Sequence, residues 1–119
     1  MLLKRDIGDI GENAAAKYLK KQKYKILERN YRKTYGEIDI IAEKDGVLSF
    51  VEVKTRKSDE FGRPCEFVNF KKQERIKKTA MSYICENELD PYISFDIIEV
   101  YAYNGKIKNI NHIISAFGE

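Results

Sequence analysis

The stretch Gly36–Arg56, GEIDIIAEKDGVLSFVEVKTR, constrains the fold of this chain more than any other. At its centre is Asp45-Gly46, a dipeptide that favours the left-handed backbone of a two-residue β-hairpin turn. Apolar residues alternate with charged ones on either side: Ile38 and Ile40 with Glu37 and Asp39, Val51 and Val53 with Glu52 and Lys54. Successive side chains of a strand point to opposite faces, so Glu37 shares a face with Asp39, and Glu52 with Lys54. If the two faces coincide, three carboxylates and one ammonium meet on a half-buried sheet surface. Burying a carboxylate without a partner costs of the order of several kcal/mol, and like charges on neighbouring strands repel. Lys54 offsets one acid. A hard divalent cation offsets the rest, because Mg²⁺ takes carboxylate oxygens and keeps positions open for water and phosphate. The plainer alternative is a solvated face, since antiparallel sheets often turn a polar side to water.

Length and composition limit the other possibilities. A chain of 119 residues with 43% hydrophobic content fits one domain with a real core. No apolar run reaches the roughly 18 residues of a membrane span, and the start MLLKRDIGDIGENAAAKYL lacks the pattern of a signal peptide. A cytoplasmic protein without membrane partners is the expectation, with Cys65 and Cys85 as reduced thiols. These cysteines lack the C-x-x-C spacing of a zinc site, and the single His112 argues against a histidine-based metal centre or a Ser-His-Asp triad. His112 reads as a surface or packing residue. Acid–base chemistry therefore falls to carboxylates, lysine or metal-bound water.

The net charge of +3 is modest but unevenly spread. Lys17–Lys33 holds eight basic residues and one acid, Glu28, while Lys71–Lys78 holds five basic residues and one acid, Glu74. Such runs are usually solvated faces. Two of them flanking an acidic centre suit a phosphate backbone.

Along the chain, residues 6 to 22 read as a helix capped by Asp6, with a stripe of Ile7, Ile10, Ala14 and Tyr18 widened by Ala15 and Leu19. Glu12 falls at the edge of that stripe. Gly8 and Gly11 allow close approach of a neighbour. Lys23–Tyr31 reads as a strand, followed by the two strands already described. Lys57–Val68 reads as a loop, where Arg56, Lys57 and Arg63 either touch phosphate or are solvated. Asn69 caps a second helix running to about Asn87, with Ile76, Ala80, Tyr83 and Ile84 as its stripe. Gln73 continues that stripe, either as a satisfied core amide or as a site residue. The cations early in this helix oppose its dipole, which suggests a use such as phosphate binding. Asp90-Pro91 breaks the helix. Ile93–Tyr103 is a strand, Asn104-Gly105 a hairpin turn, Lys106 to about Ile110 the returning strand, and Ile113–Phe117 an apolar tail that docks on the body.

The order is helix, three strands, helix, two strands. With Glu12, Asp39 and Glu52-Val53-Lys54 in place, the chain resembles PD-(D/E)XK nuclease-fold proteins. More closely it resembles the uncharacterised bacterial YraN family, related to archaeal Holliday-junction resolvases. GDIGENAAAKYLKKQKYKILERNYR, GEIDIIA, FVEVKTR and FGRPCEFVNFKKQERI carry the likeness, which covers essentially the whole chain.

The resemblance implies an α/β restriction-endonuclease-like fold, a mixed sheet flanked by helices. It implies Mg²⁺ or Mn²⁺ held by Asp39, Glu52 and the main-chain carbonyl of Val53, with Lys54 orienting the attacking water and stabilising charge on the phosphate. Glu12 would be a ligand or a partner of one, and Gln73 a polar helix residue near the site. Proline precedes the aspartate in the PD-(D/E)XK superfamily pattern; here Glu37-Ile38 precedes Asp39. The expected activity is metal-dependent hydrolysis of DNA, on branched or processed structures, leaving a 5′-phosphate and a 3′-hydroxyl, in a chain that works as a homodimer. The alternatives are a non-catalytic nucleic-acid-binding or adaptor domain that retains the fold, and a protein-interaction module using the Lys57–Val68 loop.

Overall fold

Asp45 and Gly46 both take positive φ, 52° and 80°, and turn the chain as a two-residue hairpin. The computed structural model describes residues 4–62 and 68–118. The elements follow the expected order: α1 (Lys4–Lys21), β1 (Lys25–Lys33), β2 (Gly36–Lys44), β3 (Val47–Lys57), a short 3₁₀ turn (Ser58–Glu60), α2 (Phe70–Glu86), β4 (Tyr92–Tyr103) and β5 (Lys106–Phe117). The strands form one sheet in sequence order. Every neighbouring pair is antiparallel except β3 and β4, which are parallel. A parallel pair needs a crossover, and α2 lies in the connection from β3 to β4.

A helix covers each face of this mixed sheet. Ala15, Ala16 and Leu19 of α1 pack against Ile40, Ala42, Val51, Ile98 and Val100. On the other face Ile76, Ala80, Tyr83 and Ile84 of α2 pack against Ile38, Ile41, Leu48 and Phe50. The α2 stripe is the expected one. In α1 the buried centre shifts to Ala15, Ala16 and Leu19, whose small alanines let the helix sit close to the sheet. Gly11 matters for the same reason, because a Cβ there would collide with the Thr55 side chain of β3.

Several boundaries differ from the sequence reading. Lys4 and Arg5 are already helical, so Asp6 lies inside α1 and does not cap it. Residues without a breaker simply continue the helix. The Asp6 and Ile7 side chains, like Arg63 and Cys65, lie outside the described residues. Strand β1 starts later because Lys23 takes φ 72° and closes α1, with Tyr24 N donating to Leu19 O and Lys23 N to Lys20 O. Glu88, at φ 52°, closes α2 the same way before Asp90-Pro91 is reached. Asn69 caps α2 as expected, accepting from Lys72 N at 2.9 Å. The apolar tail is not a separate docked segment. It is the second half of β5, because β4 is long enough to pair with it as far as Phe95 opposite Phe117.

Candidate active site

The site forms where β2 and β3 part. Their ladder runs from Lys44↔Val47 to Ile40↔Val51 and goes no further. Beyond it, Val53 N donates to Asp39 Oδ2 at 2.8 Å, so a carboxylate takes the place of the missing ladder acceptor. The same point breaks the face alternation of β2. Ile38 packs under α2 and Ile40 under α1, although two residues apart they would share a face of a regular strand. On β1 the pairs Arg29↔Ile40 and Tyr31↔Ile38 place Asn30 opposite Asp39. Asn30 has φ 54°, a left-handed conformation that asparagine tolerates better than most residues. Its Nδ2 donates to Glu12 Oε1 at 2.9 Å, and Arg29 Nη2 donates to the same oxygen at 3.1 Å.

Glu37, Asp39 and Glu52 share a cleft of about 530 Å³ with Asn69, Lys71, Lys72, Arg75 and Ile76 from the start of α2. Gly36 brings the two walls together, since a Cβ there would meet Thr79 Oγ1 and the Arg75 carbonyl. The Asp39 carboxyl is pushed up to about 7. Burial is the largest cause, then the charge of Glu52; the Val53 N–H pulls the other way, and Glu12 and Glu37 add to the rise. Glu37, Asp39 and Glu52 thus line one cleft, although the face alternation that would align Glu37 with Asp39 breaks between them. An ammonium from α2 reaches one of them: Lys72 Nζ lies 3.0 Å from Glu52 Oε1.

The other expected site residues fall around this cleft. Lys54 is half-buried and follows Phe50 and Glu52 on the α2 face of β3, with Glu99 as its register partner on β4. Val53 packs its side chain into the α1 core. Glu12 is largely covered and engaged by Arg29 and Asn30, so it acts on Asp39 through its charge. Gln73 Nε2 donates to Val68 O at 2.9 Å, which ties the start of α2 to the segment before it. Arg56 is neither solvated nor aimed outward, being committed to Glu60 at 3.0 Å and Glu99 at 2.8 Å. The basic run Lys17–Lys33 divides. Tyr24 and Lys44 meet beside the Asp45-Gly46 turn, so Lys25, opposite Glu43, belongs to the far end of the sheet. Arg29 and Arg32 are near the cleft but paired to Glu12 and Glu37.

Two buried polar clusters escaped the sequence reading. Glu99 is fully buried and accepts from Arg56, Tyr101 Oη at 3.0 Å and Asn111 Nδ2 at 3.1 Å. Asp96, also fully buried, accepts from Ser115 N at 3.1 Å and from Ser94 Oγ, and lies 2.7 Å from His112 Nε2. His112 is thus a packing residue, with Tyr18 Oη at 3.2 Å from its Nδ1. The available signal was two acids inside the otherwise apolar strand run FDIIEVY.

Do these residues fit a metal? Among the described residues no group of three His, Cys, Asp or Glu side chains is arranged to hold one. Mg²⁺ needs only one or two carboxylates, with water and phosphate completing its shell. Asp39 and Glu52 supply that pair, with Glu52 exchanging its Lys72 contact for the cation, while Glu12 is held by both Arg29 and Asn30.

Fold and cleft together define an α/β protein with a five-stranded mixed sheet, a helix on each face, and an acidic cleft under a basic helix start. The chain belongs to the uncharacterised protein family UPF0102, whose model matches residues 11–100. It is similar to a UPF0102 protein of Syntrophomonas wolfei, 48% identical over 97% of this chain and all of the relative. One of Clostridioides difficile is 49% identical over 95% of this chain and 97% of the relative. A third, from Caldanaerobacter subterraneus, is 48% identical over 96% of each. The family is the YraN family that the sequence motifs resemble.

Proposed function

We propose that this chain is a divalent-metal-dependent nuclease of the PD-(D/E)XK fold, hydrolysing phosphodiester bonds in DNA of branched or processed structure. The observation that carries the reading is the Asp39 carboxyl, raised to near neutral pH by burial and by the charge of Glu52, in a cleft it shares with Glu52, Lys71, Lys72 and Arg75. A protein gains nothing in stability from such crowding. A cation between Asp39 and Glu52, and an anion on the basic wall, relieve it from both sides.

Asp39 and Glu52 would hold Mg²⁺ or Mn²⁺, helped by the main-chain carbonyl of Val53. The metal would supply Lewis acidity at the phosphate and a water of lowered pKa. Asp39 must give up its proton first, which happens near pH 7. Lys54, on the face it shares with Glu52, orients the attacking water and steadies charge on the phosphate. Lys71 and Arg75 fix the backbone from the opposite wall. The Val53 N–H keeps Asp39 aimed into the cleft, and Glu12 keeps Asn30 and Arg29 beneath it.

The test is cleavage of labelled duplex, single strand, flap and four-way junction in Mg²⁺ and Mn²⁺. Asp39→Asn and Glu52→Gln should each lower cleavage by at least about a hundredfold. Cleavage that survives both variants overturns the reading. The Lys72–Glu52 pair favours a second reading, a nucleic-acid-binding domain whose site is closed by its own lysine. That reading predicts DNA binding, no cutting, and no heat of Mg²⁺ or Mn²⁺ binding at millimolar concentration.

A further inference from the structure

Phe70 is the first residue of α2 and 73% exposed, although it is a large apolar ring. Among the described residues no aromatic ring packs on it, whereas the exposed Phe61 has Tyr101 edge-on at 5.2 Å. Phe70 stands on the rim of a groove of about 940 Å³ between the β1–β2 turn and α2. That groove shares Gly36, Glu37, Lys71 and Arg75 with the acidic cleft, so the two are continuous. Lys71, Arg75 and Lys78 are spaced i, i+4, i+7 and follow one face of the helix past the turn. Lys78 lies over the Tyr35 ring at 4.5 Å. Lys71 and Arg75 have no carboxylate partner among the described residues, while Glu74, the one acid on this wall, is paired with Lys77 at 3.3 Å.

An unpacked aromatic face beside Lys71 and Arg75, two cations without a carboxylate partner among the described residues, fits one kind of ligand better than any other. Aromatic rings stack on unpaired bases and the cations follow the backbone, a combination that holds single strands without reading their sequence. A duplex offers phosphates but keeps its bases stacked inside. We infer that Phe70 is a stacking platform for an unpaired base, and that the groove beside it seats a single strand leading into the cleft. This deepens the nuclease reading and rests on it: the substrate is DNA with a single-stranded arm or end next to the scissile bond. Tyr92 is still more exposed, at 81%, but it pairs with Val47 at the opposite end of β3, away from the cleft, and serves as a control.

The test is binding in EDTA, which needs no metal and no cutting. Oligonucleotides carrying 2-aminopurine are titrated as single strand, flap and blunt duplex against wild type, Phe70→Ala, Phe70→Tyr and Tyr92→Ala. Phe70→Ala should weaken single-strand and flap binding about tenfold and duplex binding less than about twofold. It should also abolish the fluorescence quench at one position of the arm. Phe70→Tyr should retain both, and Tyr92→Ala should bind as wild type. An exposed helix-start position puts folding at little risk, and a matching melting temperature checks it. Equal loss on duplex and single strand, no loss at all, or a quench that persists in Phe70→Ala overturns the inference. Stacking on Phe70 without any metal-dependent cleavage would overturn the nuclease reading instead. Cleavage dependent on Asp39 with no Phe70 effect would leave that reading standing and remove this one.

Discussion

Asp39 and Glu99 are both carboxylates placed on the central strands of one sheet, and their surroundings push them in opposite directions. Glu99 is the more deeply buried, and burial by itself raises its carboxyl. Hydrogen bonds from Asn111, Tyr101 and Arg56, with the charge of Arg56, outweigh that and hold it below the usual carboxylate range. For Asp39 burial is likewise the largest cause, but only one backbone donor opposes it while Glu52, Glu12 and Glu37 add to it, so the carboxyl rises to about 7. What separates the two acids is therefore the set of partners that opposes burial. A fully partnered acid reads as scaffold, while an under-partnered one in a cleft is the one to which the proposed function assigns a cation.

The largest effect that sharpens this contrast is expected at Glu99. Glu99→Ala removes a fully buried acid and takes one ion-pair partner from the largely covered Arg56, and should cost about 3–5 kcal/mol in urea unfolding. A loss below about 1 kcal/mol would mean that the cluster is not structural. Asp39→Asn should move stability the other way, a gain of about 1–3 kcal/mol at pH 8 without metal, because a neutral side chain removes the crowding. The pH dependence follows from the same signs. A carboxyl raised in the folded state binds its proton more readily there, so Asp39 adds stability that is present below pH about 4 and lost as pH rises through about 7. Glu99, lowered in the folded state, adds stability present above the ordinary carboxylate range and lost as pH falls through its own lower value. Melting temperature measured from pH 5 to 8 should thus fall for wild type and stay flatter for Asp39→Asn, while Mn²⁺ affinity in wild type rises across pH 7. Smallest is Lys72→Met. The lysine is half exposed, so stability should change by less than about 1 kcal/mol. Calorimetry should still show tighter Mn²⁺ binding, by a few-fold, since the ion no longer competes with an ammonium for Glu52. Unchanged or weaker Mn²⁺ binding would place the cation elsewhere.

Much of the molecule was legible from local pattern. Asp45-Gly46 and Asn104-Gly105 turn where they should, with positive φ at all four residues. Asn69 caps α2, and Ile76, Ala80, Tyr83 and Ile84 form its buried stripe. Asp39 and Glu52 were visible as charges interrupting apolar strands. What misled was also local. The stretch after Ile110 looked like a tail because its alternation is imperfect, but the register shifts and the positive φ of Ser115 let it keep pairing with β4. Glu12 looked like a margin residue because Arg29 and Asn30, its partners, are 17 and 18 residues away.

The division has a physical cause. Turns, caps and amphipathic stripes depend on neighbours within about one helical turn or one strand pleat, so the sequence alone determined the element order, the hairpins, the buried stripe of α2 and the acids of the cleft. Whether an acid is satisfied or left wanting depends on groups far along the chain. Arg56 reaches Glu99 across 43 positions, Lys72 reaches Glu52 across 20, and the Val53 amide turns to Asp39 because two strands part. Only the tertiary structure could decide that Glu99 belongs to the scaffold and Asp39 to the cleft.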